Sequence, residues 1–126
     1  MTRESYLNDT VTLSLPRCVA FLAVAMADKL KEPQNMAKGG WMHETPGVLL
    51  ERIHEELREL SQEFGKPTWE FGPIVSEAAD VANFAMMLSH CMGAAFSSSW
   101  QVPAEYARKP FDLAPTELIG RDSGAL

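Results

Sequence analysis

The chain has 126 residues, 46% of them hydrophobic, and a formal net charge of -6 at pH 7, which suits one acidic globular domain with a hydrophobic core. The negative balance argues against broad binding to a nucleic acid backbone, and no apolar run reaches the roughly 20 residues that a membrane span needs. Cys18 and Cys91 are the only cysteines, each inside an apolar run, which predicts buried free thiols rather than a disulfide or zinc pair, and a reducing cytoplasm. The apolar stretch from Cys18 to Met26, with Ala25-Met26-Ala27 after it, has the outline of a signal-peptide core, but Glu4 and Asp9 precede it, so secretion is not the expectation.

Residues 1–13 read as a polar lead with some β-branched positions, after which Ser14 and Pro16 signal a helix start. That helix is expected to run to about Lys31, ahead of Pro33. Its Val19, Phe21, Leu22, Val24, Ala25 and Met26 are too uniformly apolar for a helix that faces solvent, so it is predicted to be central or to lie at a subunit interface. Residues 33–47 carry Pro33, Gly39, Gly40, Pro46 and Gly47 and form a connection. Thr45 can cap a second helix with Pro46 in its first turn, running to about Phe64 and stopped by Gly65-Lys66-Pro67. A link holding Trp69 and Phe71 leads to a third, apolar helix from about Ile74 to Ala95. Ser97-Ser98-Ser99 breaks the pattern, and Pro103, Pro110 and Pro115 make residues 97–126 an irregular tail with one short helix near 103–108, which either wraps the body or stays mobile. The reading is therefore an all-α domain over residues 1–96, a helical bundle whose apolar first and third helices are completed by oligomerisation.

Two acidic pairs lie on the second and third helices. Residues three apart on a helix lie about 60° from each other around the axis, so Glu56 and Glu59, and likewise Glu77 and Asp80, can each present two oxygens in one direction. At about 100° per residue, Glu77 falls between Phe84 and Leu88, and Asp80 between Met87 and Cys91, so both acids project from an apolar face. A buried carboxylate needs a cation, a basic partner or water. No lysine or arginine occurs from residue 67 to 107, so the partner must come from elsewhere in the fold or be a metal ion. On the second helix, Leu49, Leu50, Ile53, Leu57, Leu60 and Phe64 share an arc of about 100°, with Glu56 at its border and Glu59 further round. Glu51 and Glu55 project to the opposite side and read as solvated or supporting residues.

The segments Lys38-Gly-Gly-Trp41, Glu55-Glu-Leu-Arg-Glu59-Leu and Glu77-Ala-Ala-Asp-Val-Ala-Asn83-Phe-Ala-Met-Met together resemble the all-α nucleoside triphosphate pyrophosphohydrolases, the superfamily of MazG-like proteins, dimeric dUTPases and dCTPases. The similarity is to its small MazG-like members and covers residues 17–95. It implies a hydrolase that converts NTP and water to NMP and pyrophosphate, with Mg²⁺ bound by Glu56, Glu59, Glu77 and Asp80. It also implies assembly of such helices into dimers or tetramers. Trp41 precedes Glu56 at a separation similar to that of a base-contacting tryptophan in dCTPase-like relatives.

Oxygen ligands without His or Cys favour Mg²⁺, or Mn²⁺, over zinc. Such an ion would neutralise phosphate charge and polarise a water, which one carboxylate would orient or deprotonate. Glu59, further from the apolar arc than Glu56, is the choice for that role. Lys38 could meet a phosphate while the Trp41 indole stacks on a base, although Trp41 also reads as a packing residue and the loop lacks the P-loop pattern. Asn83, one turn beyond Asp80, either contacts sugar or phosphate or links helices. Trp69 and Phe71 read as helix packing or as part of a base pocket, and Arg52 and Arg58 as solvated charges or phosphate contacts. Glu51-x-x-His54 matches the di-iron bundle signature, but a second such match is missing and His54 lies on the flank opposite Glu56. The expected partners are a nucleoside triphosphate and further copies of the chain, with neither a nucleic acid polymer nor a membrane among them. The competing readings are a non-catalytic nucleotide-binding or interaction module of the same fold, and a structural bundle whose acids pair with bases from another chain.

Overall fold

A computed structural model of the protein describes residues 10–32, 44–93 and 100–107. Among these residues the fold is all-α, with helices α1 (Arg17–Lys31), α2 (Pro46–Phe64) and α3 (Phe71–Cys91), followed by a 3₁₀ turn at Ala104–Tyr106. The third helix is the central element, with α2 and α1 both packed against it. The Cys91 thiol at the end of α3 donates to the Glu44 carbonyl just before α2, 3.6 Å away, so α2 and α3 run antiparallel as an αα-hairpin.

The helix ends follow from local chemistry. Thr45 caps α2 through its Oγ1, which accepts from the Val48 N–H at 3.3 Å, while Pro46 occupies a first-turn position that needs no N–H donor. The third helix starts at Phe71, ahead of the predicted Ile74. Pro73 sits inside its first turn, where amides have no intrahelical partner, so the proline starts the helix instead of blocking it. It stops at Cys91, a turn before the predicted Ala95: Gly93 adopts φ 78°, and its N–H donates to the His90 carbonyl at 2.8 Å. Part of the tail returns to the body. Leu13 and Ala107 form an isolated antiparallel bridge, and the Ser14 N–H donates to the Tyr106 carbonyl at 2.8 Å.

The core is thin. Among the described residues, Leu49, Ala79 and Met87 are the buried apolar side chains, with Leu30, Phe84, Met86, Leu88 and Cys91 packed around Leu49 and Met87. The predicted apolar arc of α2 divides: Leu49 is buried and Ile53 and Leu60 half-buried, whereas Leu50, Leu57 and Phe64, seven residues apart, form an exposed stripe. On α1, Val19, Phe21, Leu22 and Val24 are exposed as well, Val24 by 61%. Cys18 shares that outer face and is an exposed free thiol, which corrects the expectation of burial; Cys91 is half-buried and free. No described helix is long and apolar enough to cross a membrane.

Candidate metal centre

The α2–α3 hairpin brings three of the four expected acids together. One carboxylate oxygen from each of Glu56, Glu59 and Glu77 lies within 4.8 Å of the others. The two residues from α2 are one turn apart, and α3 supplies the third from the opposite side. Glu56 and Glu77 are half-buried and Glu59 is exposed. No lysine or arginine forms an ion pair with any of the three among the described residues. Oε2 of Glu77 is buried there without a hydrogen-bond partner.

The proton affinities follow from this crowding. Glu56 is pushed up from an ordinary 4.5 to about 7, first by loss of hydration and then by a hydrogen bond to Glu59 and the negative charges of Glu59, Asp80 and Glu77. Glu77 is raised by burial and by the charges of Asp80 and Glu59, with Lys29 opposing the rise. Like charges held this close favour a shared proton or a cation.

Asp80, one turn along α3 from Glu77, stands beside this set and has a protein partner. The Lys29 ammonium, reaching over from α1, lies 3.3 Å from Asp80 Oδ2 and donates to Ser76 Oγ at 3.1 Å; Glu32 Oε2 is 3.9 Å away. Burial raises the Asp80 carboxyl above its ordinary range while Lys29 works against that rise. Sequence reasoning left open whether the embedded acids would meet a base or an ion. The base is Lys29, in the last turn of α1, and the local signal for it was only that position near the end of an apolar helix.

Asn83 is 4% exposed, and its Nδ2 donates to the Met26 carbonyl of α1 at 3.1 Å, which is the interhelical link among the two roles weighed for it. Trp69 is 64% exposed, with its indole N–H donating to the Phe64 carbonyl at 3.0 Å and its ring meeting Phe64 edge-on at 5.0 Å, so it closes the C-terminal end of α2. Phe71, 75% exposed, meets Phe21 with ring centroids 6.2 Å apart. Arg52 pairs with Glu55 at 3.2 Å, both side chains being about half exposed. Lys38 and Trp41, the expected phosphate and base contacts, lie outside the described residues.

The donor set fits a hard divalent ion. It is all oxygen, no lysine or arginine among the described residues forms an ion pair with it, and one of its oxygens is buried without a hydrogen bond. Adjacent ligands of Mg²⁺ lie roughly 3 Å apart, so side-chain rotation would close these carboxylates around an ion and leave positions for water or phosphate. No protein-family model, curated protein or solved structure matches the chain. The site is therefore read from its own geometry.

Proposed function

We propose that the protein is a Mg²⁺-dependent nucleoside triphosphate pyrophosphohydrolase, an enzyme that converts an NTP or dNTP and water to the monophosphate and pyrophosphate. The observation that carries this reading is the trio Glu56, Glu59 and Glu77, held within 4.8 Å across two helices with no basic partner among the described residues. A scaffold gains nothing from such repulsion, whereas a site for a cation and a polyphosphate requires it.

Glu56, Glu59 and Glu77 hold the ion in this proposal, with Asp80 as the adjoining fourth acid; Mn²⁺ can substitute. When bound, the ion supplies charge neutralisation at the phosphates and polarisation of water. Glu59, the exposed member, orients a water and takes its proton as the water oxygen bonds to phosphorus and the anhydride bond to pyrophosphate breaks. Lys38 and Trp41 are the proposed phosphate and base contacts, and the Asn83–Met26 bond supports a helix-linking role for that amide. The exposed apolar stripes on α1 and α2 support a homo-oligomer, dimer or tetramer, and the proposed location is the cytoplasm.

The test is incubation of the protein with a panel of NTPs and dNTPs and Mg²⁺, separating monophosphate and pyrophosphate from diphosphate and orthophosphate by chromatography. Metal-dependent monophosphate and pyrophosphate are expected. No turnover by folded, metal-loaded protein would sink the reading. The Lys29–Asp80 pair favours a second one, a non-catalytic bundle whose acids are met by protein bases. Under it, millimolar Mg²⁺ neither binds in a calorimetric titration nor raises thermal stability, with or without nucleotide.

A further inference from the structure

Lys29 is the described base that reaches the acidic region. Its ammonium lies 3.3 Å from Asp80 Oδ2 and donates to Ser76 Oγ at 3.1 Å. The lysine and aspartate side chains are only 19% and 22% exposed, so this is a partly desolvated pair rather than a surface contact. A second carboxylate, Glu32 Oε2, lies 3.9 Å from the same ammonium, so Lys29 keeps an anion beside it when Asp80 turns elsewhere. Asp80 in turn is one helical turn from Glu77 on the same face of α3, which sets it beside the trio of Glu56, Glu59 and Glu77. An ion held by both acidic pairs must therefore take Asp80 from this ammonium.

We infer that Lys29 is a resident counter-cation for Asp80 that the divalent ion displaces on binding, so that this lysine lowers the affinity of the four-acid site for its metal. This rests on the pyrophosphohydrolase reading insofar as that reading makes the four acids a cation site. The physical reason is competition for one carboxylate. With Lys29 present, loading the ion breaks a partly desolvated ion pair and leaves the ammonium to Glu32. With an apolar side chain in its place, Asp80 starts as a half-buried carboxylate without that partner and gains more from the ion. Repulsion between the ammonium and an incoming divalent ion has the same sign. A lysine that merely held α1 against α3 would behave in the opposite way, because its removal would loosen the site and weaken metal binding. Lys29 is accordingly a positioning residue: it acts through Asp80 and sets how tightly the ion is held.

The experiment measures Mn²⁺ affinity from the free-ion electron paramagnetic resonance signal, on the full-length protein near neutral pH, together with the melting temperature without metal. Lys29→Met is expected to bind Mn²⁺ about 5- to 10-fold more tightly than the natural chain while melting about 5 °C lower without metal, both being the size of a partly desolvated ion pair. Asp80→Asn is expected to weaken binding about 10-fold, through loss of one ligand charge. In Lys29→Met combined with Asp80→Asn, the gain from losing the lysine is expected to shrink to about twofold, the part left by charge repulsion alone. Equal or weaker Mn²⁺ binding in folded Lys29→Met, or an undiminished gain in the double variant, would overturn the inference while leaving the acids a cation site. If Lys29→Met fails to give a native circular dichroism spectrum, Asp80→Asn still decides, since an unchanged affinity there would overturn the inference as well. No Mn²⁺ bound by any of the proteins would remove the cation site itself and this inference with it.

Discussion

Two adjoining corners of α3 treat the same chemistry in opposite ways. At Asp80 the fold brings in Lys29, and Ser76 steadies the ammonium. One turn earlier, at Glu77, it brings in two more carboxylates from α2 and no base among the described residues. The first corner is closed within the protein. The second is an unresolved charge problem of the kind that a ligand solves, and its contrast with a satisfied neighbour makes it a better candidate than acidity alone would.

The sharpest way to break the comparison is to neutralise the open corner. Glu77→Gln keeps shape and volume while removing one ligand charge, so Mg²⁺-dependent turnover is expected to fall on the order of 10³-fold with the helical circular dichroism spectrum retained. Unchanged activity would place the chemistry elsewhere. Supplying the missing cation should act in the other direction: Mg²⁺ at 100 times its dissociation constant is expected to stabilise the native state by about 2.7 kcal/mol, read as a rise in melting temperature. In Glu77→Gln that gain should largely vanish.

A smaller effect follows from protons, which can substitute for the ion. Glu56 has its proton affinity raised from an ordinary 4.5 to about 7, so the metal-free native state binds that proton more tightly than the unfolded chain does. This contribution to stability is fully present below about pH 4.5 and is lost as pH rises through about 7; the raised Glu77 and Asp80 act with the same sign. Urea melts of the metal-free protein across that range should show stability draining away, and saturating Mg²⁺ at pH 8 should restore it. A metal-free protein that grows steadily more stable from pH 4.5 to 7 would contradict the crowding. The smallest effect belongs to the exposed Arg52–Glu55 pair on α2: Arg52→Ala is expected to change stability by less than about 0.5 kcal/mol, as urea melts would show.

Much of this was legible in the residues, for reasons that differ from place to place. Thr45, Pro46 and Gly65-Lys66-Pro67 marked α2 because caps and breakers act locally, and the apolar spacing gave three helices and an all-α fold. The start of α3 was misjudged because Pro73 reads as a stop unless it is known to lie in a first turn. That Glu56, Glu59 and Glu77 converge followed from their spacing and the short α2–α3 link. That Asp80 meets Lys29 did not, since an ion pair between separate helices depends on how α1 packs, which no local pattern encodes. The same gap hid the exposure of Cys18 and of Leu50, Leu57 and Phe64: periodicity gives a helix its apolar face but not the neighbour that covers it.

The buried amide of Asn83 has a consequence for alignment. Apolar burial is non-directional, so among the described residues the height of α1 against α3 is set by a few directional contacts: the Asn83 amide, Lys29 with Ser76 and Asp80, and the Phe21–Phe71 ring pair. A single amide with a single partner works as a detent. Sliding α1 by one turn, about 5.4 Å, would part Asn83 from the Met26 carbonyl and leave a dry polar group. Lys29 lies on the next turn of the same helix, so the notch that holds Met26 in step also determines which carboxylate the ammonium finds.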